Sequence, residues 1–400
     1  MMPHAESGLK RVKWILVGGT SLALFRAVCS FYHPQSVGFT VTEWNRNLRR
    51  VLKPALTAAN LFPNRLVSMA SRLMHWTCGA MNKLSTSLEY FISTENWIHV
   101  ECQNWNGTPV KVYMPTNSET FTDGAVIFIH GGGFAHGNVD MDDSVIKRMA
   151  YEMRTLFISI DYSFSPETIS PHGILECEAV INHFFQHGND QYGIDPSKVV
   201  LMGDSVGANF ATVIAQRRAA RNTLPKLAGQ VLIHPLLQMF DVQSVVYRFF
   251  HSRLNEKVLV DAKSVAYEYM LYSGIDMDEK TYLVPIVTSN GHTQEVMSHN
   301  KSSNHYESHK IRERWPSDLS ALIRNELSGL PPTMLITCDS NVIDAVEENF
   351  VHALKAAGVQ TTTVREDTNV HLLNSELFNL SNSINDIELW ILYVLRLTHA

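Results

Sequence analysis

The residues best suited to do chemistry in this chain are a serine, an acid and a histidine, in that order along the sequence. Ser205 lies in Gly203-Asp-Ser-Val-Gly207, a G-x-S-x-G arrangement in which small residues flank a potential nucleophile. A neutral hydroxyl attacks poorly, so a base must take its proton. His371, in Asn369-Val-His371, can accept that proton and then hand it to a leaving group. A carboxylate behind the imidazole would fix its tautomer and stabilise imidazolium. Two aspartates compete for that task. Asp339 directly ends an apolar run, whereas Asp344 falls where a carboxylate would cap the following helix, so Asp339 is preferred.

Upstream, Gly131–Gly133 stand between His130 and Phe134 at the end of another apolar run. Glycines there let backbone N–H groups turn toward a developing oxyanion, with the N–H of Val206 as a further donor. His130 is expected to brace this loop, and Gly133 to complete its turn. Together these residues predict acyl transfer through an activated serine. Amide and ester cleavage share that machinery and stay unresolved at this level. His292, His299, His305 and His309 form a second group, but they lack H-E-x-x-H spacing and a nearby cysteine. They read as a solvated tract, and neither a metal nor a cofactor is expected.

These residues need a scaffold. The chain has 400 residues, of which 45% are hydrophobic, enough for one large α/β domain with insertions. A net charge of −6 gives no electrostatic case for nucleic acid. Short β runs begin near Trp97, where WIHVEC and VKVYMP flank Asn106-Gly107, a favoured hairpin turn. Apolar runs at 125–130, 155–162, 198–205, 229–237, 333–339 and 361–367 follow, mostly continuous, as in strands buried on both faces. Helical stretches alternate with them at Asp142–Met153, Ile174–Gln186, Val206–Arg221 and Asp344–Ala357. That alternation predicts a mostly parallel sheet flanked by helices. Ser205 then falls on a strand-to-helix turn.

The alternation stops between Phe240 and Leu330, a stretch too long for a loop and rich in tyrosine and phenylalanine. It reads as a cap insertion, assigned to residues 241–324. Residues 36–92 have apolar positions at helical spacing and read as N-terminal cap helices. The two remaining blocks, 93–240 and 325–400, form the α/β domain. At the N-terminus, Lys10, Arg11 and Lys13 precede the apolar run Trp14–Phe25. Counted on through Arg26 to Tyr32, it reaches the length of about 20 residues needed to span a bilayer. Residues 1–35 are therefore expected to be a signal-anchor with the remainder luminal, a cleaved signal peptide being the alternative. Asn106, Asn300 and Asn379 begin glycosylation sequons, in keeping with a luminal chain. The five cysteines include no C-x-x-C, so no disulfide framework or zinc site is implied.

Several segments together resemble the hormone-sensitive-lipase branch of the α/β-hydrolases, and within it the arylacetamide deacetylase-like family. They are HGGGF at 130–134, DYSFSPE at 161–167, GIDPSKV at 193–199 and GDSVGAN at 203–209. The resemblance implies an α/β-hydrolase fold with a helical cap, and a carboxylester or acylamide hydrolase acting on small lipophilic substrates. It also implies an endoplasmic reticulum membrane protein, type II, with its α/β domain in the lumen. Ser205, Asp339 and His371 correspond to that family's triad, and Gly131, Gly132 and Val206 to its oxyanion donors. The chain departs from the family around CDSNVIDAVEE and NVHLLN, the two segments that hold the acid and the base. A hydrolase fold reused for ligand binding, and a peptidase or lipid acyltransferase, are the competing expectations.

Overall fold

The computed structural model describes residues 97–116, 122–135, 137–165, 167–221, 225–237, 272, 286–287, 293–294, 327–338, 344–366 and 381–397. All of these fall in one compact unit, Ser71–Ala400. The expected signal-anchor, the N-terminal cap helices and the histidines at 292, 299, 305 and 309 lie outside the described residues. Asn300 and Asn379 do as well. Among the described residues, no helix is long and apolar enough to cross a membrane.

The chain enters through an antiparallel hairpin, β1 (Ile98–Trp105) and β2 (Thr108–Pro115). Asn106 (φ 53°) and Gly107 (φ 92°) form its two-residue turn. Both have the positive φ that a primed turn needs to follow the strand twist. Asn106 is exposed there, and its side-chain amide donates to Ala179 O at 3.2 Å. Next come β3 (Ala125–Ile129), α1 (Asp143–Met153), β4 (Leu156–Ile160), α2 (His172–Tyr192) and β5 (Val199–Asp204). The series continues with α3 (Val206–Ala220), β6 (Gly229–Ile233), β9 (Thr333–Cys338), α4 (Asp344–Ala356) and β10 (Thr361–Glu366). A two-residue ribbon, β7 (Ile286–Val287) with β8 (Thr293–Gln294), lies between β6 and β9 in sequence.

The main sheet has eight strands in the order β1-β2-β4-β3-β5-β6-β9-β10. From β4 to β10 all neighbours pair in parallel, and the hairpin adds antiparallel at one edge. This is the mostly parallel sheet flanked by helices that the sequence predicts. The strands of the central run are buried throughout, which explains their unbroken apolar character. Successive residues serve opposite faces. Ile127 and Ile129 pack with Leu201, Phe184, Phe210 and Phe350 on the side of α2, α3 and α4. Val126 and Phe128 pack with Met149, Met202, Trp390 and Ile391 on the other. Truncating such a phenylalanine to alanine typically costs about 3–5 kcal/mol.

The structure also extends the sequence reading. α2 runs past Gln186 to Tyr192, continuing through Gly188, whose missing side chain makes room for the Phe184 ring. The final helix, α5 (Ser381–Leu397), carries the alternation beyond the last expected strand.

Sheet order locates the crevice. After β3 the chain moves to β4 on one side, and then returns to place β5 on the other. In open α/β sheets, ligands bind outside the carboxyl ends of strands at such a switch point. Here those ends are Ile129 of β3 and Asp204 of β5, followed by His130 and Ser205.

Candidate active site

Ser205 is the single residue between the last residue of β5 and the first of α3. Its φ of 54° and ψ of −110° are rarely adopted by a residue with a side chain. Such a conformation costs of order 1–3 kcal/mol and persists only where its surroundings enforce it. They do so here. Ser205 N donates to Ile233 O at 2.8 Å, and Ser205 O accepts from both Asn209 N and Leu236 N at 3.1 Å. Asn209 Nδ2 in turn donates to Leu236 O at 2.7 Å, tying the loop after β6 to α3.

Gly207 completes the elbow by close approach. A Cβ there would stand 2.0 Å from Ile129 O, so any side chain would force α3 away from the end of β3. The result is a telling accessibility pattern. From Val199 to Gln216 every residue is buried except Ser205. The fold thus presents one alcohol at the strand end, beside the first-turn N–H groups of a helix, which lack intrahelical acceptors.

The glycine loop meets this elbow directly. Ile129 is paired with Gly203, so His130 and Gly131 leave β3 beside Asp204 and Ser205. A Cβ on Gly131 would come within 2.9 Å of Asp204 Oδ2 and 3.1 Å of Asp204 O, so only glycine lets the loop approach this closely. Gly132 (φ 123°), Gly133 (φ 59°) and Phe134 (φ 63°) continue as three successive left-handed residues. His130 is buried, donates from Nδ1 to Gly131 O at 2.7 Å, and stacks on Tyr162 with centroids 4.5 Å apart. Tyr162 donates from its hydroxyl to His130 O at 2.9 Å. His130 is thereby held between Tyr162 and the carbonyl of Gly131. Gly131, Gly132, Gly133, Val206 and Ser205 are brought to one edge of the sheet.

Asp339 and His371 lie outside the described residues. The described strands stop short of them: β9 ends at Cys338, and β10 at Glu366, which is paired with Cys338. Both strands end at the same edge of the sheet as β5. Asp344 opens α4, the helix-start position that made it the weaker candidate for the acid.

Sequence reasoning missed two supports. The first is an aromatic cluster under the glycine loop. Phe210 of α3 sits 5.3 Å from Tyr162 and 5.7 Å from Phe134, centroid to centroid. Phe164 lies edge-on to Tyr162 at 5.3 Å. Phe134 and Tyr162 belong to the motifs already quoted, so their aromatic character was a readable signal. Their meeting was not.

The second support is an ion cluster on the segment after the loop. Lys111 of β2 pairs with Asp140, and also with Asp143 at 3.1 Å. Lys147 and the Tyr113 hydroxyl reach Asp143 at 2.6 and 3.0 Å. Burial opposes the Lys111 charge, yet the neighbouring carboxylates hold its pKa above the ordinary lysine value. Asp142 is different: burial pushes its carboxyl up to about 7. Among the described residues, no group of three or more ligating side chains could hold a metal ion.

Comparison with known proteins agrees with this geometry. A family profile described as alpha/beta hydrolase fold matches residues 126–299. Mouse arylacetamide deacetylase-like 3 is 37% identical over 140 residues, 35% of this chain and 34% of that protein. Rabbit arylacetamide deacetylase is 27% identical over 298 residues, covering 68% of this chain and 73% of its own length. The match to the deacetylase-like relatives spans about a third of their length. Among solved structures, the thermostable carboxylesterase EstE1 from a metagenomic library superposes with a TM-score of 0.61. It is 20% identical and covers 81% of this chain and 97% of its own.

Proposed function

We propose that this α/β-hydrolase, a relative of the arylacetamide deacetylases, is a serine hydrolase that cleaves carboxylic esters of small lipophilic molecules. The observation that carries the reading is the isolated accessible alcohol at Ser205, held at φ 54° between a buried strand and a buried helix. A structural turn needs neither the strain nor the exposure. The glycine loop pressed against Asp204 supplies the second part of the chemistry, a set of backbone donors beside that alcohol.

In this mechanism Ser205 Oγ attacks the ester carbonyl carbon while His371 takes its proton. The carbonyl oxygen becomes negative and is received by the N–H groups of Gly131, Gly132 and Val206. His371, oriented by Asp339, then protonates the departing alcohol, leaving an acyl group on Ser205. Water, activated by the same imidazole, releases the acid and restores the serine. Acylamides follow the same route with an amine as leaving group. Relatives named for an arylacetamide support a lipophilic acyl or aryl group as the substrate class.

The test is hydrolysis of short and medium p-nitrophenyl esters by the full chain and by Ser205→Ala. Wild type should turn them over, and the variant should lose about 10⁵–10⁶-fold in kcat. Folded wild-type protein that hydrolyses none of them would leave the fold serving as a ligand-binding scaffold instead.

A further inference from the structure

Tyr272 belongs to the long stretch between β6 and β9, yet it packs on the glycine loop. Its ring is buried and lies on Phe134 with centroids 4.2 Å apart and planes 16° from parallel. Its carbonyl accepts a hydrogen bond from Ser170 N at 2.7 Å, so the backbone is fixed to the loop after β4 as well. Phe210 flanks the pair, 5.7 Å from Phe134 and 6.0 Å from Tyr272, and contacts both rings. The Phe134 ring thus has Phe210 of α3 as one neighbour and Tyr272 as the other.

Phe134 is an unlikely residue for its backbone. It holds φ 63° directly after Gly133 at 59° and Gly132 at 123°. A side chain in the left-handed region is stable only where other contacts compensate. Phe134 O accepts from Ser165 N at 2.9 Å, which fixes one end of the residue, and the aromatic stack fixes the other. The backbone across 132–134 is held in this conformation by those contacts. Whatever holds the ring therefore holds the N–H groups that would face an oxyanion.

We propose that Tyr272 is a positioning residue that, by stacking on Phe134, sets the glycine loop and so contributes to transition-state stabilisation. This rests on the acyl-transfer reading of Ser205. Tyr272 touches no reacting atom in the scheme. Its phenol, kept above the ordinary tyrosine value by burial, takes no part as an acid or base. The ring is what matters. Losing one oxyanion donor costs about 10²–10³-fold in kcat, so loosening the loop that carries two should cost about 10–100-fold.

The experiment compares Tyr272→Phe, Tyr272→Leu and Tyr272→Ala in the full chain, with kcat and KM for a p-nitrophenyl ester and amide hydrogen exchange over 130–137. Tyr272→Phe keeps the stack and should stay within about twofold of wild type. Tyr272→Leu and Tyr272→Ala should lose about 10–100-fold in kcat, with KM changed less than about threefold. Exchange at 130–137 should speed up about tenfold in both, with β5 unchanged. A folded Tyr272→Leu with wild-type kcat and exchange would overturn the proposal, as would a loss confined to KM. Unfolding of both Leu and Ala variants beside a folded Phe variant would also overturn it, by making Tyr272 a core residue only. If wild type turns over no ester, the hydrolase reading falls, and the exchange measurement alone decides whether Tyr272 holds the loop.

Discussion

At the residue scale, sterics dictate some positions of the site and chain order suggests the others. Gly203 and Gly207 are dictated by sterics: a Cβ at 203 would stand 2.4 Å from Gly207 O and one at 207 would strike Ile129 O at 2.0 Å. That is why the strand-to-helix elbow was legible. The base and acid were inferred from order and strand ends, which fix a neighbourhood and not an atom. A comparison of three substitutions tests the assignment. Asp339→Asn should lower kcat about 10⁴-fold by leaving the imidazole in the wrong tautomer, and His371→Gln should do at least as much. Asp344→Asn should change it less than about tenfold. The opposite pattern for the two aspartates would move the acid to Asp344. Asp142 and the Lys111 cluster were illegible because a carboxylate's surroundings arise from folding and leave no local pattern.

At the element scale, the helix that follows the glycine loop carries a pH signature. Asp142 is the N-cap of α1, makes no capping hydrogen bond through its side chain, and has its pKa raised from 3.8 to about 7 by burial. Between those values the folded chain holds a proton that the unfolded chain has released. Stability from this group is therefore full below about pH 4 and is lost as pH rises toward about 7. Asp142→Asn has no such proton to lose. Thermal unfolding of both proteins from pH 4.5 to pH 8 should show wild type falling relative to the variant up to about pH 7, then a constant gap. Parallel curves across the range would show that Asp142 is ionised in the folded protein. The strands of this scaffold were legible for the reason they are stable: burial on both faces demands unbroken apolar runs such as AVIFI. α5 was harder to read. Ile384, Ile387, Trp390, Ile391 and Val394 face the sheet, but Leu389 (67% exposed) and Tyr393 (51%) lie on the outer side and blur the stripe.

At the scale of the whole molecule, the sheet acts as a device for convergence. Strands far apart in sequence, β3, β5, β9 and β10, end at one edge, and the switch between β3 and β5 opens the crevice there. Strand–helix alternation made the fold class readable, while long-range contacts such as Tyr272 on Phe134 could come only from the structure. The chemistry proposed for this chain depends on this edge exposing one reactive alcohol. Its most direct test is to treat the full chain with a fluorophosphonate and map the adduct by peptide mass spectrometry. A single phosphonyl group on Ser205, absent after heat unfolding and in Ser205→Ala, is the predicted result. Modification at a different residue, or none on folded protein that turns over esters, would contradict it.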